Sequence, residues 1–301
     1  MVASLRAMPG LRSFSTDDFP LEVLRTREST VAVCLPARDE ADTVGDVLRP
    51  IVELLEAGLI DQVAVVVDGE DGTAQAARSA GAEVFGAQDL APDHGPSLGK
   101  GDAVWRAIPV LRGEVIVLLD ADLESVDDSY VRGLAGPLLA DSGLQLVKGS
   151  FVRPTGEGGV ERPVGGGRVT ELLARPVLSL FYPELAALRQ PLSGQVGVRR
   201  DWLETLPVWT GYALEMGMLL ETWKRAGLDA IAEVDLGVLW NASQPLADLG
   251  PMAYAVLLAV TRQLEREGRL EPVGAPPFLP PSGPVDVEPL ERPPYVSLRS
   301  A

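Results

Sequence analysis

The chain has 301 residues, 46% of them hydrophobic, so it is long enough to bury a large core in one or two domains. Its 26 lysines and arginines are outnumbered by 43 aspartates and glutamates, which gives a formal net charge of −17. This acidity argues against a nucleic-acid-binding protein, which would present a basic surface, but it allows a local basic pocket. A single cysteine, Cys34, excludes a disulfide framework within the chain and suits a reducing cytoplasm.

No segment approaches the ~18 consecutive apolar residues that a membrane span requires. The first residues, "MVASLRAMPGLRSFST", also lack the apolar stretch of a signal peptide. We therefore expect a cytoplasmic protein without a membrane partner. Residues 1–28 are polar and predict an irregular N-terminal arm, and Cys34, within "VAVCLP", is interpreted as a small core residue rather than a nucleophile.

From residue 30 onwards, apolar runs alternate with segments of helical spacing. The runs "TVAVCLPARDEA" (30–41), "DQVAVVV" (61–67) and "EVIVLLDADLES" (114–125) predict buried strands, and "ADTVGDVLRPIVELLEAGLI" predicts a helix. This alternation is typical of an α/β fold with a mostly parallel sheet flanked by helices. We predict one half of the domain at 29–142, a second at 143–248, a C-terminal helix at 249–270 and a Pro-rich, extended or disordered tail at 271–301.

Two carboxylates, Asp120 and Asp122, directly follow the apolar run "VIVLL". If the strand continues through them, their side chains point to the same side, and their repulsion raises one pKa unless a cation neutralises it. Carboxylate oxygens suit Mg²⁺ or Mn²⁺, which proteins commonly share with substrate phosphates. The alternative is a solvated turn. The segments "PARDE", "VDGED" and "DADLE" should meet at one edge, since ligands of such sheets bind beyond the carboxyl ends of the strands.

Two glycine-flanked segments at predicted helix starts are suited to binding an anion. At the start of a helix, free backbone N–H groups and the positive end of the helix dipole face the ligand. In "LGKGDAVWRA" (98–107), Lys100 lies between two glycines, although the segment fails the P-loop pattern. In "GGGRVTELLARP" (165–176), Arg168, Val169 and Thr170 open a helix, which suits a phosphate or carboxylate. The alternatives are a flexible solvated loop for the first and a hinge with Thr170 as helix cap for the second.

An acidic residue, Glu215, lies in the apolar helix predicted at 212–226. Such a group is paired, neutralised or catalytic, unless the position is simply exposed. His94 is the only histidine, and the sequence offers it no base or metal partner, so Ser–His or Cys–His catalysis has little support.

Taken together, residues 30–246 resemble the retaining GT-A glycosyltransferases that make glucosyl- or mannosyl-3-phosphoglycerate. The resemblance rests on "LPARDEADTVGDV", "GKGDAVWR", "LLDADL", "LVKGSFVRP", "GGGRVTELLARP", "QPLSGQ", "GYALEMGMLLETW" and "GLDAIAEVDLGV". It implies a GT-A, Rossmann-like fold and a metal-dependent hexosyltransferase. The implied substrates are a nucleotide-sugar donor and a 3-phosphoglycerate acceptor.

The resemblance also implies roles for individual residues. The donor would be bordered by Pro36, Ala37, Arg38, Glu40, Asp68, Lys100, Asp120, Ala121 and Asp122. The metal would bind Asp120, Asp122 and Asn241, and the acceptor would be held by Gly167, Arg168, Val169, Thr170 and Asn241. The catalytic residues would be Lys100, Asp122 and Glu215.

Two positions depart from the glucosyl enzymes: Asn241 stands in place of a metal-binding histidine, and Leu239 in place of an arginine. An amide oxygen from Asn241 would keep an all-oxygen site suited to Mg²⁺ or Mn²⁺. We interpret these departures as favouring the mannosyl type, with GDP-mannose as donor and UDP-glucose as the other possibility. Another metal-dependent sugar-nucleotide glycosyltransferase and a non-catalytic nucleotide-sugar-binding protein are the alternatives. The apolar helix at 250–267 either contributes to a homodimer or covers its own sheet.

Overall fold

The computed structural model describes residues 10–152, 167–239 and 245–299. The strands of these residues are β1 (Arg12–Ser15), β2 (Val31–Ala37), β3 (Gln62–Val67), β4 (Glu83–Gly86), β5 (Val115–Leu118), β6 (Leu146–Val152), β7 (Val196–Arg199), β8 (Val208–Trp209), β9 (Ile231–Val238) and β10 (Glu291–Arg292). The α-helices are α1 (Glu22–Arg25), α2 (Val44–Glu56), α3 (Thr73–Ser79), α4 (Ala87–Leu90), α5 (Lys100–Ala107), α6 (Asp128–Ala140), α7 (Arg175–Phe181), α8 (Arg200–Thr205), α9 (Leu214–Ala226), α10 (Leu246–Arg266) and α11 (Tyr295–Leu298).

Eight strands form one sheet in the order β1-β9-β6-β7-β5-β2-β3-β4. β7 runs antiparallel to both of its neighbours, and every other pair in this sheet is parallel. One face is covered by a hydrophobic core that includes α2 and α6, and the other by a core that includes α5 and α9. The predicted α/β architecture with a mostly parallel sheet flanked by helices is therefore confirmed.

The central strands form because their apolar runs are covered on both faces. All six residues of β3, "QVAVVV", are buried, and so is every residue of β2 except Pro36. β-Branched side chains fit such a pleated, enclosed surface. Cys34 is part of this core, and burial raises the pKa of its thiol to about 12. This confirms that Cys34 is a core residue, since a neutral thiol is a poor nucleophile.

The two predicted halves share this one sheet. β5, in the first half, pairs with β7 of the second, and β6 lies between β9 and β7. The boundary at residues 142 and 143 falls between α6 and β6, and the division there stays a prediction.

The N-terminal arm is partly structured, so the prediction of an irregular arm is wrong for residues 12–25. β1 pairs in parallel with β9 at the edge of the sheet, from Arg12 beside Ala232 to Ser15 beside Asp235. Phe19 then packs under α6, where Gly136 leaves room for its ring. The strand escaped prediction because it has only four residues, "RSFS", without apolar alternation.

The C-terminal helix and the tail also differ from their predictions. α10 begins three residues before the predicted position 249 and ends at Arg266, and Gly268 follows in the left-handed region with φ +66°. It packs on its own domain through Val256, Val260 and Leu264. The tail has little regular secondary structure before residue 290, but residues 290–298 dock through β10 and α11, so predicting disorder there is wrong. Among the described residues, no helix is both long and apolar enough to cross a membrane.

Candidate active site

The carboxyl ends of β2 and β3 are joined by residues that the sequence placed at the nucleotide. Asp68 N–H donates to the Ala37 carbonyl oxygen at 2.9 Å, and Arg38 Nε donates to the Asp68 carbonyl oxygen at 2.8 Å. The Arg38 guanidinium also pairs with the Asp68 carboxylate. Pro36 precedes them in β2. The structure therefore brings Pro36, Ala37, Arg38 and Asp68 together at one edge of the sheet.

The acidic pair lies just beyond β5. Pairing with β7 ends at Leu118, opposite Val196, so Asp120 and Asp122 belong to the following turn, and the expectation that the strand runs through them is wrong. Gln195 holds Asp120 from two directions: Asp120 N–H donates to Gln195 Oε1 at 3.1 Å, and Gln195 Nε2 donates to Asp120 Oδ2 at 2.7 Å. The first carboxylate of the pair is therefore fixed in orientation.

Lys100 joins this carboxylate to a second one from another helix. Its Nζ lies 2.5 Å from Asp120 Oδ1 and 2.7 Å from Glu215 Oε1. Burial by itself would lower the pKa of Lys100, but the charges of Asp120 and Glu215 outweigh it and raise that pKa above its usual range. Glu215 is only 6% exposed. The reading of Glu215 as an exposed helix residue is therefore wrong, and it is a buried, paired acid at the start of α9.

Two glycines allow this close arrangement. A Cβ atom at Gly194 would lie 2.4 Å from both Lys100 Nζ and Asp120 Oδ2, so a larger residue there would displace the ion pair. A Cβ atom at Gly101 would lie 1.9 Å from the Trp209 carbonyl oxygen. The glycine after Lys100 therefore lets α5 pack closely against β8.

Glu40 adds a third carboxylate to the same space. Its pKa is raised by burial and by the negative charges of Asp122 and Asp120, although a hydrogen bond from Thr43 opposes this. Thr43 Oγ1 donates to Glu40 Oε2 at 2.8 Å and lies 3.0 Å from the Ala121 carbonyl oxygen. The start of α2 is thereby attached to the acidic turn.

This concentration of negative charge fits a divalent cation, which would remove the repulsion that raises the Glu40 pKa. Within the described ranges, no three His, Cys, Asp or Glu side chains are grouped so as to hold a metal ion on their own. Asp120 and Asp122 would therefore need oxygen ligands from a substrate diphosphate, as is usual for Mg²⁺. Asn241 lies outside the described residues, so its predicted roles as metal ligand and acceptor contact stay predictions.

The residues predicted to hold the acceptor lie on the segment between β6 and β7. Residue 168 is already helical, and a π-helical turn spans Thr170–Ala174, a feature frequent at functional sites. Thr170 is buried inside the helix, and the residue before it makes no side-chain cap, so the prediction of Thr170 as a helix cap is wrong. Arg168 is exposed, while Gly167 and Val169 are half-buried.

Further contacts place the last residues of this segment at the same edge of the sheet as the acidic turn. Gln190 Nε2 donates to the Phe151 carbonyl oxygen at 3.2 Å, near the end of β6. Arg189 pairs with Asp235 of β9 at 2.8 Å. β6 and β9 are parallel to each other, and β6 and β5 are both antiparallel to β7. Their carboxyl ends therefore open on one side of the molecule, with residues 189 and 190 beside β6 and β9.

Three residues of the site were not singled out from the sequence, although their segments were recognised. Gln195 and Gly194 lie in "QPLSGQ", and Lys148 lies in "LVKGSFVRP". Lys148 is 1% exposed and donates from Nζ to the Ser193 carbonyl oxygen at 2.6 Å. Burial, reinforced by the charge of Lys100, lowers its pKa to about 8, although Glu215 and Asp120 oppose the shift. A lysine in the middle of a buried strand was the signal that could have identified it.

An aromatic residue, Tyr212, stands at the rim of the cluster. Its side chain is half exposed. Burial raises the pKa of its hydroxyl, with smaller opposing effects from Lys100 and Arg38. Tyr212 therefore lies within electrostatic reach of both Lys100 and Arg38.

An acidic turn at the carboxyl edge of a mostly parallel sheet, with a lysine paired to it, agrees with the class of GT-A sugar-nucleotide transferases that the sequence resembles. The sequence pattern of the family described as "Glycosyl transferase family 2" matches residues 32–191. The glucosyl-3-phosphoglycerate synthase of Mycolicibacterium paratuberculosis is 42% identical over 232 residues, which cover 76% of this chain and 70% of that protein.

Solved structures agree. The mannosyl-3-phosphoglycerate synthase from Rubrobacter xylanophilus superimposes with a TM-score of 0.86 at 40% identity, covering 95% of this chain and 97% of that one. The glucosyl-3-phosphoglycerate synthase from Mycobacterium tuberculosis, solved with Mn²⁺, UDP-glucose and phosphoglyceric acid, gives a TM-score of 0.83 at 34% identity, covering 97% of this chain and all of that one. The chain therefore belongs to glycosyl transferase family 2, in the group formed by the glucosyl- and mannosyl-3-phosphoglycerate synthases. This confirms the resemblance and the GT-A fold.

Proposed function

We propose that this chain transfers a glucosyl group from UDP-glucose to 3-phosphoglycerate, with retention of the anomeric configuration and with a divalent cation. The observation that carries the proposal is the placement of Lys100 Nζ within 2.7 Å of both Asp120 and Glu215 at the carboxyl edge of the sheet. One positive side chain there faces the space for a diphosphate on the acidic-turn side and the space for a sugar on the α9 side.

On the donor side, the nucleotide is bordered by Pro36, Ala37, Arg38 and Asp68, and Glu40 lies beside the acidic turn. The raised pKa of Lys100 keeps it protonated, so it stabilises the negative charge that develops on the departing diphosphate. Mg²⁺ or Mn²⁺ held by Asp120 and Asp122 would supply further charge neutralisation at the diphosphate.

On the acceptor side, Arg168 and the backbone at Gly167, Val169 and Thr170 hold the phosphate and carboxylate of 3-phosphoglycerate and orient its free hydroxyl. The bond between the anomeric carbon and the diphosphate oxygen breaks, and a bond to the acceptor oxygen forms on the same face of the sugar. The acceptor proton passes to the leaving phosphate oxygen, so no protein nucleophile is required. Glu215, buried beside Lys100, supports the positive charge that develops on the sugar.

The choice of sugar follows the curated relatives. The proteins from Mycolicibacterium paratuberculosis and Mycobacterium tuberculosis are glucosyl synthases, which favours UDP-glucose over the GDP-mannose that Asn241 and Leu239 suggested. Leu239 itself is 1% exposed in the core, so its side chain is not available to an acceptor. GDP-mannose stays the second candidate because the mannosyl synthase of known structure is 40% identical.

One assay tests the reaction and the sugar together. The protein is incubated with 3-phosphoglycerate and UDP-glucose, GDP-glucose, GDP-mannose or UDP-mannose, with Mn²⁺, with Mg²⁺ or with chelator, and the product and its configuration are determined by NMR. We expect glucosyl-3-phosphoglycerate of retained configuration from UDP-glucose and metal only. Mannosyl product from GDP-mannose would support the second candidate. A protein that binds the donor but neither transfers the sugar nor hydrolyses the donor with metal would support the non-catalytic alternative.

The acidic pair is tested by replacing Asp120 and Asp122 together with Ala, which removes their metal-binding oxygens. We expect loss of metal-dependent transfer, with a lower melting temperature because Lys100 loses one of its two carboxylate partners. Asp46→Ala removes one exposed carboxylate from α2 and serves as the control for substitution of an acidic residue. Transfer that persists with unchanged metal dependence in the double variant would refute the metal role.

A further inference from the structure

The C-terminal segment carries a buried ion pair into the helix that begins with Lys100. Asp102, two residues after Lys100 in α5, is 0% exposed. Its carboxylate accepts from Arg292 Nε at 2.6 Å and from Arg292 Nη2 at 3.0 Å. Arg292 is 9% exposed and lies 190 residues further along the chain. Burial opposes the charge of Asp102, but the hydrogen bonds from Arg292 and Arg106 outweigh it and lower its pKa.

Asp102 also holds the loop that leads to Lys100. Its Oδ2 accepts from the backbone N–H of Leu98 and from Arg106 Nε, both at 3.0 Å. Arg292 Nη2 donates to the His94 carbonyl oxygen at 3.1 Å, and Arg106 Nη2 donates to the Gly95 carbonyl oxygen at 2.8 Å. The backbone from residue 94 to residue 98 is therefore held by the two arginines that meet at Asp102.

The same segment is attached to the loop that leads to Glu215. Thr210 N–H donates to the Leu290 carbonyl oxygen at 2.8 Å, and Leu290 N–H donates to Thr210 Oγ1 at 2.9 Å. Gly211, the next residue, donates its N–H to the Leu98 carbonyl oxygen at 3.1 Å. β10 pairs with β8 beside these contacts. The C-terminal segment thus touches the loops before both α5 and α9, the helices that supply Lys100 and Glu215.

We propose that Arg292 is a positioning residue for the donor site: through Asp102 it fixes the start of α5 and so aims Lys100 at the donor diphosphate. The proposal rests on the proposed function, in which Lys100 binds that diphosphate. Arg292 acts on the start of α5 through Asp102, the 94–98 loop and Trp105, over whose ring its guanidinium lies at 5.2 Å from the centroid. Its effect on the donor therefore depends on Lys100 being present.

A double-mutant cycle tests this dependence. Arg292→Gln and Lys100→Met are made singly and together, and the Kd for UDP with Mn²⁺ is measured by calorimetry, together with kcat and both KM values. We expect Arg292→Gln to raise the Kd for UDP by about tenfold and to lower kcat by about 10- to 100-fold, because small displacements of a charge-stabilising group are costly. In the Lys100→Met background, we expect Arg292→Gln to change the Kd for UDP less than twofold. Acceptor KM should stay unchanged.

Two further variants separate positioning from general stability. Arg299→Gln removes another ion pair of the C-terminal segment, to Glu204 at 2.7 Å, that does not touch the 94–98 loop, and it should leave Kd and kcat as in the wild type. Arg292→Lys keeps the charge but lacks the planar guanidinium group that contacts Asp102 and His94 together. Its Kd for UDP and its kcat should therefore lie between those of the wild type and Arg292→Gln. Should Arg292→Gln not fold, the cycle is run with Arg292→Lys.

The outcomes distinguish the two proposals. The positioning role would be overturned if Arg292→Gln weakened UDP binding equally with and without Lys100. It would also be overturned if Arg299→Gln weakened UDP binding and lowered kcat as much as Arg292→Gln, because the contribution would then be purely structural. A Lys100→Met variant that binds UDP as the wild type does would instead overturn the donor role of Lys100, and with it the proposed function of this cluster.

Discussion

The two sides of the site are built differently. On the donor side, Lys100 contacts two carboxylates, Asp120 is held twice by Gln195, and Gly194 leaves no spare room. On the acceptor side, Arg168 is exposed at the start of a helix. The side chains proposed for the donor contact one another within the protein, and the side chain of Arg168, proposed for the acceptor, is exposed to solvent.

This contrast has a physical basis in what each side must do. In the proposed reaction, the donor side would stabilise charge that develops on the diphosphate, and such stabilisation requires groups that are already oriented. The acceptor side would bind charges that the substrate carries throughout, so Arg168 would contribute to binding before and during the reaction alike. We therefore expect substitutions on the donor side to lower kcat and substitutions on the acceptor side to raise the acceptor KM.

The largest effect is expected from Gly194→Ala. The new methyl group would lie 2.4 Å from Lys100 Nζ and 2.4 Å from Asp120 Oδ2. Both atoms are the ends of side chains, so they move aside and the Lys100–Asp120 contact is lost, while the backbone keeps its fold. We expect kcat for glucosyl transfer to fall by about 100-fold or more, as for loss of one charge-stabilising donor, with a nearly unchanged melting temperature.

Gly45→Ala is the matched control, because a Cβ atom at Gly45 meets no heavy atom within 4 Å. It should leave kcat unchanged, and in α2 the alanine should slightly raise the melting temperature. Wild-type kcat in Gly194→Ala would mean that the cluster tolerates displacement, and the contrast between rigid donor side and open acceptor side would be wrong.

A second expected effect concerns stability, through Lys148 beneath the donor cluster. Its pKa falls from 10.5 in the unfolded chain to about 8 in the folded one. Between these values the unfolded chain binds more protons, so the free energy of unfolding rises with pH; below about pH 8 the buried charge is a constant cost of about 3 kcal/mol. The stability of the wild type relative to Lys148→Met should therefore increase by about 3 kcal/mol from pH 8 to pH 10.5.

Urea unfolding at a series of pH values measures this difference. Lys224→Met removes one exposed lysine of α9 and is the matched control for the loss of a charge. Parallel stability curves for the wild type and Lys148→Met across this range would contradict the proton release from Lys148. Such curves would also contradict a buried, charged lysine beside the donor cluster.

The sequence predicted the donor side in outline because the patterns that indicate its strands, and the polar residues that follow them, lie within short stretches of the chain. Continuous apolar runs predicted β2, β3 and β5, and the polar residues at their ends had to meet at one edge of the sheet. The contact of Lys100 with Asp120 and Glu215 could not be predicted in this way, since it joins residues 20 and 115 positions apart through the packing of α5 and α9 on the sheet. The resemblance, not the periodicity, placed these three residues in one site.

The errors at the two ends of the chain share one cause, which is that pairing between distant segments has no local signature. β1 is four residues long and gains its order from β9, and β10 is two residues long and gains its order from β8. The sequence "VEPLERPP" predicts an extended chain, but nothing local shows that its arginine reaches Asp102. Thr170 was interpreted as a cap because it follows glycines, whereas the helix begins earlier and buries it.

The smallest expected effect tests the acceptor side, with Arg168→Ala. Since Arg168 is exposed at the start of its helix, its removal should leave the donor cluster and the melting temperature unchanged. Loss of one charged hydrogen-bonding group should raise the KM for 3-phosphoglycerate by about tenfold, with little change in kcat or in the KM for UDP-glucose. Steady-state kinetics with each substrate varied in turn measures this separation.

Two variants complete the comparison. Arg168→Lys keeps a point charge without the planar guanidinium, so its acceptor KM should lie between those of the wild type and Arg168→Ala. Arg49→Ala removes another exposed arginine, one that pairs only with its helix neighbour Asp46, and should change neither KM. An Arg168→Ala variant whose donor KM rises as much as its acceptor KM would show that the two sides are coupled, because an arginine used only by the acceptor cannot weaken donor binding.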